Sequence, residues 1–470
     1  MSTLTLPQAT TKPRAAANPL ATPRRSAWRR LRAAFDGSLY RPGDDGYDQV
    51  RQALNPALDP RPAIVAEALG SSDVRAAVTV AREHDLPFAV QSTGHGTQVP
   101  CHGGLLIKTS QLAAVVVDPD RRVARVGAGA RWGDVVAAAA PFGLAPISGS
   151  SGSVGVAGYT FGGGLGWLSR RYGFAADSLL RAEVVTADGR VVTASARRHP
   201  DLYWALRGGG GNFGIATRLE IRLHPAAELY GGTAYYPIDR AADTLARYRD
   251  WAASQPDQLT TVVVLLSAEA TAGLPEPVRG RPVLGIRGLH VGGPPGEAER
   301  LLRPLRQAAG DRPLLDTFAP MRYDQVTSIG SVAPRHVDLF RELPDAAIED
   351  LPGEANAAEV RYWGGAMADP RHPEPGPTGH RDTPYSVIAD GASASLQPLA
   401  TGGSFLNFLH DQTRTHTAYT PANYRRLAAV KRAYDPDNVL GLSHNLPPAP
   451  ARQWRPGRPA PAPPAVRGTA

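Results

Sequence analysis

Residues 149–166 read GSSGSVGVAGYTFGGGLG, and this glycine-rich stretch decides which fold the chain can adopt. Two further glycine clusters lie at residues 94–96 and 208–214. Glycine has no Cβ, so backbone N–H groups can approach a ligand closely and point at its phosphates. One such cluster alone is typical of a tight turn. The three clusters together predict one long phosphorylated cofactor that contacts all of them.

Short strands and helices in mixed order surround these clusters. An apolar strand at residues 63–66, a helix opened by Ser71-Ser72-Asp73 and a second strand at 87–91 predict a β-α-β unit that leads into the first cluster. Longer strands are predicted at 259–267, 283–291 and 385–389, beyond a hairpin through residues 187–189. This mixture predicts an α+β fold rather than a doubly wound one.

Residues 209–214 match the pattern G-x-G-x-x-G of nicotinamide-dinucleotide sites. That site requires a helix directly after the glycines, whose N-terminus faces the pyrophosphate. Here residues 215–223 read as a strand. The sequence therefore disfavours a nicotinamide-binding unit.

The positive charge of the chain is concentrated at its two ends. Residues 1–35 hold seven basic residues and 449–470 hold four, without any acid, so the net charge of +8 leaves −3 for residues 36–448. A mildly acidic body disfavours nucleic-acid binding. At 470 residues the chain has room for two or three domains.

Cysteine content and hydropathy exclude several further classes. The single Cys101 excludes an intramolecular disulfide and a cysteine-based zinc site, and we expect no metal. No apolar run reaches the roughly 18 residues of a membrane-spanning helix. Arg24-Arg25 is not followed by an apolar signal core, which predicts a cytoplasmic protein without membrane contact.

Four motifs resemble, in order and spacing, the berberine bridge enzyme-like flavoproteins of the vanillyl-alcohol oxidase type. They are QSTGHG at 91–96, VGVAGYTFGGGLG at 154–166, DLYWALRGGGGNFG at 201–214, and a closing motif from Asn423 to Asn445. The resemblance implies a two-lobed FAD-binding domain and a second α+β substrate domain built on an antiparallel sheet. It implies an FAD-binding domain at 28–228, a substrate domain at 229–405 and a returning C-terminal segment at 406–448. The composition of the two ends predicts a disordered N-terminal tail at 1–27 and a disordered Pro-rich tail at 449–470.

The resemblance also implies which residues hold FAD. His95 falls where the family links the flavin 8α-methyl group to imidazole, and Asn445 falls near the flavin pyrimidine edge. The implied contacts are Gln91, Ser92, Thr93, Gly94, His95, Gly96, Ser150, Ser151, Gly152, Ser153, Val154, Gly155, Gly158, Gly164, Ile215 and Asn445.

The chain departs from the family pattern at two places. Ser151 stands where bicovalent members carry a second flavin-linking cysteine, so a single link through His95 is expected, with no cysteinyl link. Residues 405–408 (FLNF) resemble a segment in which many relatives carry a catalytic tyrosine. Phenylalanine cannot accept a proton, so the base must come from elsewhere, and the candidates are Tyr159, His380 and Tyr385.

We therefore predict an FAD-dependent oxidoreductase that removes a hydride from an alcohol, a sugar or a secondary metabolite. Its partners would be that small molecule and dioxygen, because Val154 stands where the plant branch of the family associates valine with oxidase behaviour. Two alternatives stay open: a flavin-dependent oxidative cyclase, and a flavin-binding member without catalytic activity.

Overall fold

The computed structural model describes residues 25–332, 336–354, 356–369, 375–391 and 394–451. The predicted tails lie outside these residues except at their inner ends. The predicted N-terminal tail is wrong for residues 25–27, because helix α1 spans Arg25–Ala34. Ala27 and Leu31 are fully buried in the core that also contains helix α3, Ser71–Glu83. An i,i+4 apolar pair of this kind gives the helix a face to bury.

The first sheet has four strands in the order β1-β2-β4-β3. Their bounds are Ser38–Tyr40 for β1, Ile64–Glu67 for β2, Phe88–Gln91 for β3 and Leu105–Lys108 for β4. Both β2 and β3 pair in parallel with β4, and α3 connects β2 to β3. The predicted β-α-β unit is confirmed, with β4 inserted between its two strands.

The second sheet is antiparallel, in the order β5-β6-β10-β8-β9. Its strands are Val115–Asp118 (β5), Val123–Gly127 (β6), Leu179–Val185 (β8), Val191–Ser195 (β9) and Ile215–Arg222 (β10). A two-stranded sheet joins β7, Leu144–Ala145, to β11, His224–Pro225. Because β10 directly follows residues 208–214, the rejection of a nicotinamide-type glycine loop is confirmed.

The third sheet is the largest and is antiparallel throughout, in the order β15-β12-β14-β13-β18-β19-β17, with β16 also paired to β12. Its strands are Leu229–Pro237 (β12), Leu259–Leu266 (β13), Val283–Val291 (β14), Leu315–Asp316 (β15), Ala319–Met321 (β16), His336–Phe340 (β17), Ala357–Tyr362 (β18) and Tyr385–Ala389 (β19). One face packs against helices α8, α9 and α10, spanning Ala241–Ala252, Pro295–Ala309 and Asp345–Glu354.

The remaining helices are short, apart from the last. They are Tyr47–Val50 (α2), Trp132–Ala139 (α4), Val156–Phe161 (α5), Ser169–Tyr172 (α6), Pro200–Leu206 (α7), Gly365–Ala368 (α11) and Pro421–Tyr434 (α12). The α+β class is confirmed, whereas the exact domain boundaries stay a prediction. Within the described ranges, no helix combines the length and apolar composition needed to span a bilayer.

A buried ion pair fastens the C-terminal helix to the third glycine cluster. The Lys431 ammonium donates to Asp435 Oδ2 at 2.7 Å and to the Asn212 carbonyl at 2.9 Å, and both charged side chains are fully buried. Burial lowers the pKa of Lys431, while Asp435 acts in the opposite direction. The pair therefore depends on both partners being present.

Replacing Lys431 by methionine is expected to lower the free energy of unfolding by roughly 3–5 kcal/mol, because the Asp435 carboxylate would stay buried without its partner. Urea denaturation measures this change. Arg432→Met, one residue along α12 and partly exposed, is the matched control and should change stability much less. Equal effects of the two substitutions would contradict the importance of the buried pair.

Candidate functional site

One cavity of about 410 Å³ brings the three glycine clusters together. Gly94 and Gly96 line it from the first cluster, Gly149, Gly155, Gly158 and Gly162 from the second, and Gly210 and Gly211 from the third. The large sheet closes it with residues of β18 and β19. Its volume is in the range of small-molecule and cofactor sites.

Most of the predicted FAD contacts line this cavity. They are Gln91, Ser92, Thr93, Gly94, His95, Gly96, Ser150, Ser151, Val154, Gly155 and Gly158. Gly152, Ser153, Gly164, Ile215 and Asn445 are not among its lining residues. Ile215 instead packs in the core of the first sheet, and Asn445 lies next to His444, which does line the cavity.

The loop that carries His95 begins where β3 ends at Gln91. The Gln91 side chain is buried; its oxygen accepts from the Lys108 ammonium at 2.7 Å, and its amide donates to the Thr97 hydroxyl at 3.2 Å. Gly94 has φ +78°, and a Cβ there would come within 2.7 Å of the Gln91 amide. The turn therefore requires glycine, and Gln91 holds the loop on both sides of His95.

The His95 imidazole projects from this loop without a protein partner. No hydrogen bond to its ring nitrogens is made by any group in the described part of the chain. Burial lowers the pKa of His95. Because burial disfavours the charged form, the ring is neutral near pH 7 and one nitrogen keeps a free lone pair.

At several glycines that line the cavity, no neighbouring atom covers the backbone. A Cβ built on Gly96, Gly158 or Gly211 would meet no heavy atom within 4 Å. The Ser92 hydroxyl is buried nearby and has no hydrogen-bond partner within the described residues. Uncovered backbone and an unsatisfied hydroxyl suit a phosphorylated ligand. These residues fit FAD.

The second glycine cluster runs directly against the His95 loop. A Cβ on Gly155 would lie 3.2 Å from the Ser92 hydroxyl, so only glycine allows this approach without a shift. The hydroxyl of Ser151, at the second-linkage position, lies 2.9 Å from that of Ser153. Cys101 lines another part of the cavity, and burial raises its pKa to about 12, so its thiol stays protonated.

Tyr159 is the one predicted base that lines the cavity. Its phenol is buried, and its oxygen has no hydrogen-bond partner within the described ranges. Burial raises the pKa of Tyr159 well above its usual value, and Tyr323 adds to the effect. A base near neutrality needs the opposite shift, so this environment argues against Tyr159 as the proton acceptor, and its catalytic role stays a prediction.

Tyr385 and His380 lie away from the cavity, and their predicted roles are wrong. Side chains alternate along a strand, and Ile388 of β19 faces the cavity, so Tyr385 faces the helix-covered core. Its hydroxyl donates to the Arg249 carbonyl at 2.8 Å. His380 lies in a turn with Nε2 2.7 Å from the Thr417 carbonyl.

Two charged residues of β18 that were not among the predicted site residues, Glu359 and Arg361, line the cavity from the large sheet. Arg361 donates to Glu359 at 2.7 Å, and Arg287 of β14 lies 3.5 Å from the other carboxylate oxygen. The neighbours Ala358 and Val360 pack in the helix-covered core. The alternation in residues 357–362 (AAEVRY) was the available signal, because charges at every second strand position mark a face that needs partners.

The FLNF segment contributes to the site through its asparagine. The Asn407 side chain accepts from Gly164 N–H at 2.9 Å and donates to the Tyr159 carbonyl at 3.2 Å. Phe405 packs against Phe174 and Trp363 instead of facing the cavity. Asn407 therefore holds the second glycine cluster in place, whereas the predicted contact of Gly164 with FAD stays a prediction.

Comparison with known proteins matches the same segments. A model of the FAD binding domain matches residues 62–195, and a model described as berberine and berberine like matches residues 404–447. The chain belongs to the berberine bridge enzyme-like FAD-linked oxidoreductases. These matches support FAD as the cofactor of this berberine bridge enzyme-like protein.

Similar proteins share the length as well as the fold. The (R)-6-hydroxynicotine oxidase of Paenarthrobacter nicotinovorans is 28% identical over 88% of this chain and 97% of its own length. A crystal structure of 6-hydroxy-D-nicotine oxidase from Arthrobacter nicotinovorans covers 88% of this chain and 98% of its own, with 27% identity and a TM-score of 0.76. BBE-like 1 of Physcomitrella patens covers 90% and 99%, with 20% identity and a TM-score of 0.78.

Proposed function

We propose that this FAD-linked oxidoreductase removes a hydride from a C–H bond of a small molecule, with dioxygen as the electron acceptor. The observation that carries the proposal is one cavity that joins the His95 loop to Glu359, the only carboxylate among its described lining residues. The substrate would be an alcohol, a sugar or a secondary metabolite. A relative named as a 6-hydroxynicotine oxidase supports the proposal of oxidase activity.

FAD supplies a hydride acceptor when bound, and the chain supplies orientation, a link and proton transfer. FAD would be held by the backbone of the glycines that line the cavity, by the Ser92 hydroxyl and by the His95 imidazole. We propose a single bond between a ring nitrogen of His95 and the 8α-carbon of FAD, which would replace one C–H bond of that methyl group and the N–H bond of the imidazole. The two electrons and two protons released would pass to dioxygen, giving hydrogen peroxide. The hydroxyl at Ser151 cannot make the cysteinyl bond of bicovalent members.

Glu359 is the proposed proton acceptor for the substrate hydroxyl or amine. Removing a hydride from such a carbon leaves a proton that a positioned base must take. Glu359 lines the cavity, and its ion pair with Arg361 fixes the carboxylate in one place. The protonated Tyr159 phenol would donate a hydrogen bond within the same cavity.

Enlarging Val154 is expected to slow the reaction with dioxygen. Val154 lines the cavity and is partly buried against the core, so Val154→Leu adds a methylene at the wall. If dioxygen approaches along this wall, reoxidation should slow by roughly tenfold, equivalent to about 1.4 kcal/mol of barrier. Enzyme reduced by dithionite is mixed with air-saturated buffer, and flavin absorbance and peroxide are followed.

Val332→Leu is the matched control, since Val332 lines the cavity beside the large sheet. Reoxidation of that variant by dioxygen, and of both variants by a quinone dye, should keep the unmodified rate. Slow reoxidation of the unmodified protein by dioxygen, with fast reoxidation by the dye, would make it a dehydrogenase instead.

A further inference from the structure

Three buried charges lie together on the large sheet, and two of them, Glu359 and Arg361, line the cavity. The side chains of Arg287, Glu359 and Arg361 are 5%, 3% and 6% exposed. One carboxylate thus lies between two guanidinium groups. The cluster carries a net charge of +1, since arginine stays protonated in proteins.

No other acid in the described part of the chain compensates this charge. The ion pairs of Arg287 and of Arg361 there are made with Glu359 alone. Tyr159 also lines the cavity, and Tyr323 lies nearby; both phenols have raised pKa values and stay uncharged. An uncompensated buried charge is costly unless a partner of opposite sign binds.

Unused donors point to where that partner would bind. Arg361 Nε is buried and has no hydrogen-bond partner within the described residues, and the same holds for Arg287 Nε. The Arg361 guanidinium lies over the Trp167 ring, with 5.4 Å between its Cζ and the ring centroid. This cation–π contact does not use the Nε–H group, which is therefore available to a ligand.

Large apolar side chains line the same cavity as the charged pair. They are Leu165, Ile388, Leu406, Phe408 and Leu409. A complementary ligand therefore has an apolar body and one anionic group. Arg361 is the cluster's one cation among the lining residues, and Arg287 stands behind Glu359.

We infer that the substrate carries a carboxylate, which Arg361 binds at the wall formed by β18, next to an apolar body held by the leucine and phenylalanine side chains. This inference rests on the proposed function, because it places the substrate in the same cavity. It selects acidic substrates from the wider class of alcohols, sugars and secondary metabolites. Amines that carry no carboxylate, which are cations at neutral pH, would bind more weakly than acids of the same size.

Three probes that share one ring test the inference on the FAD-loaded protein. Benzoate, benzamide and benzylamine are titrated by calorimetry and by the perturbation of the flavin absorption spectrum. Benzoate is expected to bind roughly tenfold more tightly than benzamide, since a charge-assisted pair replaces a neutral contact, and benzylamine should not bind. Equal binding of benzoate and benzamide, or tighter binding of benzylamine, would overturn the inference.

Substitutions at the charged wall distinguish a residue that binds the carboxylate from one that only stabilises the fold. Arg361→Gln should bring benzoate down to the affinity of benzamide, whereas Arg361→Lys should keep part of the preference. Glu359→Gln should tighten benzoate binding, because it removes the neutralising charge and keeps both arginines. Arg171→Gln is the control, since Arg171 pairs with Asp257 and does not line the cavity.

The inference can still be tested if one variant does not fold. If Arg361→Gln does not fold, benzoate binding by Glu359→Gln is the test, and weaker binding by that variant than by the unmodified protein would overturn the inference. Flavin content is measured separately on every sample. Absence of FAD would count against the proposed function, whereas FAD-loaded protein that shows no preference for benzoate would count only against acid recognition.

Discussion

Replacing His95 by alanine is expected to turn a yellow acid precipitate into a colourless one. If the bond to FAD runs through His95 alone, flavin in the unmodified protein stays with the denatured chain, and flavin in His95→Ala passes into the supernatant. The reason lies in the loop geometry: a neutral imidazole without a protein partner projects into the cavity. Absorbance at the flavin band of pellet and supernatant measures the result.

His444→Ala is the matched control for that experiment. His444 also lines the cavity, but its Nδ1 lies 3.2 Å from the Thr415 hydroxyl, so it has a structural partner. Its pellet should stay yellow. A yellow pellet from His95→Ala would show a different attachment point, and free flavin from the unmodified protein would show that no link forms.

Replacing Glu359 by glutamine is expected to slow substrate-driven flavin reduction by about 10²–10⁴-fold, the usual contribution of a positioned base. Glutamine keeps the size of the side chain and its contact with Arg361 but cannot take the proton. The substrate is first found by anaerobic flavin bleaching with alcohols, sugars and polyketide glycosides, including members that carry a carboxylate. Stopped-flow absorbance then gives the rate of reduction.

Glu299→Gln controls for the loss of a glutamate elsewhere, because Glu299 accepts from the Tyr230 hydroxyl and does not line the cavity. Its reduction rate should be unchanged. An unchanged rate in Glu359→Gln would exclude Glu359 as the proton acceptor. Failure of every compound to bleach the flavin, in protein that photoreduces normally, would favour a flavin-binding member without catalytic activity.

Glu359→Gln is informative because its two expected effects have opposite signs. Flavin reduction should slow, since a proton acceptor is lost, while benzoate should bind more tightly, since a competing negative charge is lost. A general disturbance of the cavity would weaken both. The pair of measurements therefore separates proton transfer from acid recognition at one residue.

Local patterns in the sequence were sufficient to place the histidine loop and the glycine clusters at the cavity. The β-α-β unit, the hairpin through residues 187–189 and the strand after the third glycine cluster all follow from short-range signals. The glycines at 94, 155 and 158 line the cavity as expected, because close approach of the backbone requires the absence of a side chain, whereas their contact with FAD stays a prediction. Ile215 could not be assigned in this way, since a buried isoleucine on a strand is consistent with any core.

Prediction of the residues on the substrate side required knowing which face of each strand meets the cavity. Local sequence patterns do not show this. Tyr385 was correctly placed on a strand, but which face of that strand meets the cavity is set by the packing of α8, α9 and α10. The same packing turns Glu359 and Arg361 towards the FAD site. The sequence of β18 or β19 alone does not show which face meets the cavity, because the helices that cover the other face come from other parts of the chain.

The sequence by itself determined the fold class, the family and the histidine loop, because glycine spacing and strand order act over a few residues. Only the tertiary structure decided which charged groups meet the cavity. Arg287 is 72 residues from Glu359, and their approach depends on the pairing of β14, β13 and β18 within one sheet. Alternation fixes which side chains share a face, and only the assembled sheet fixes which face is turned to the cofactor site.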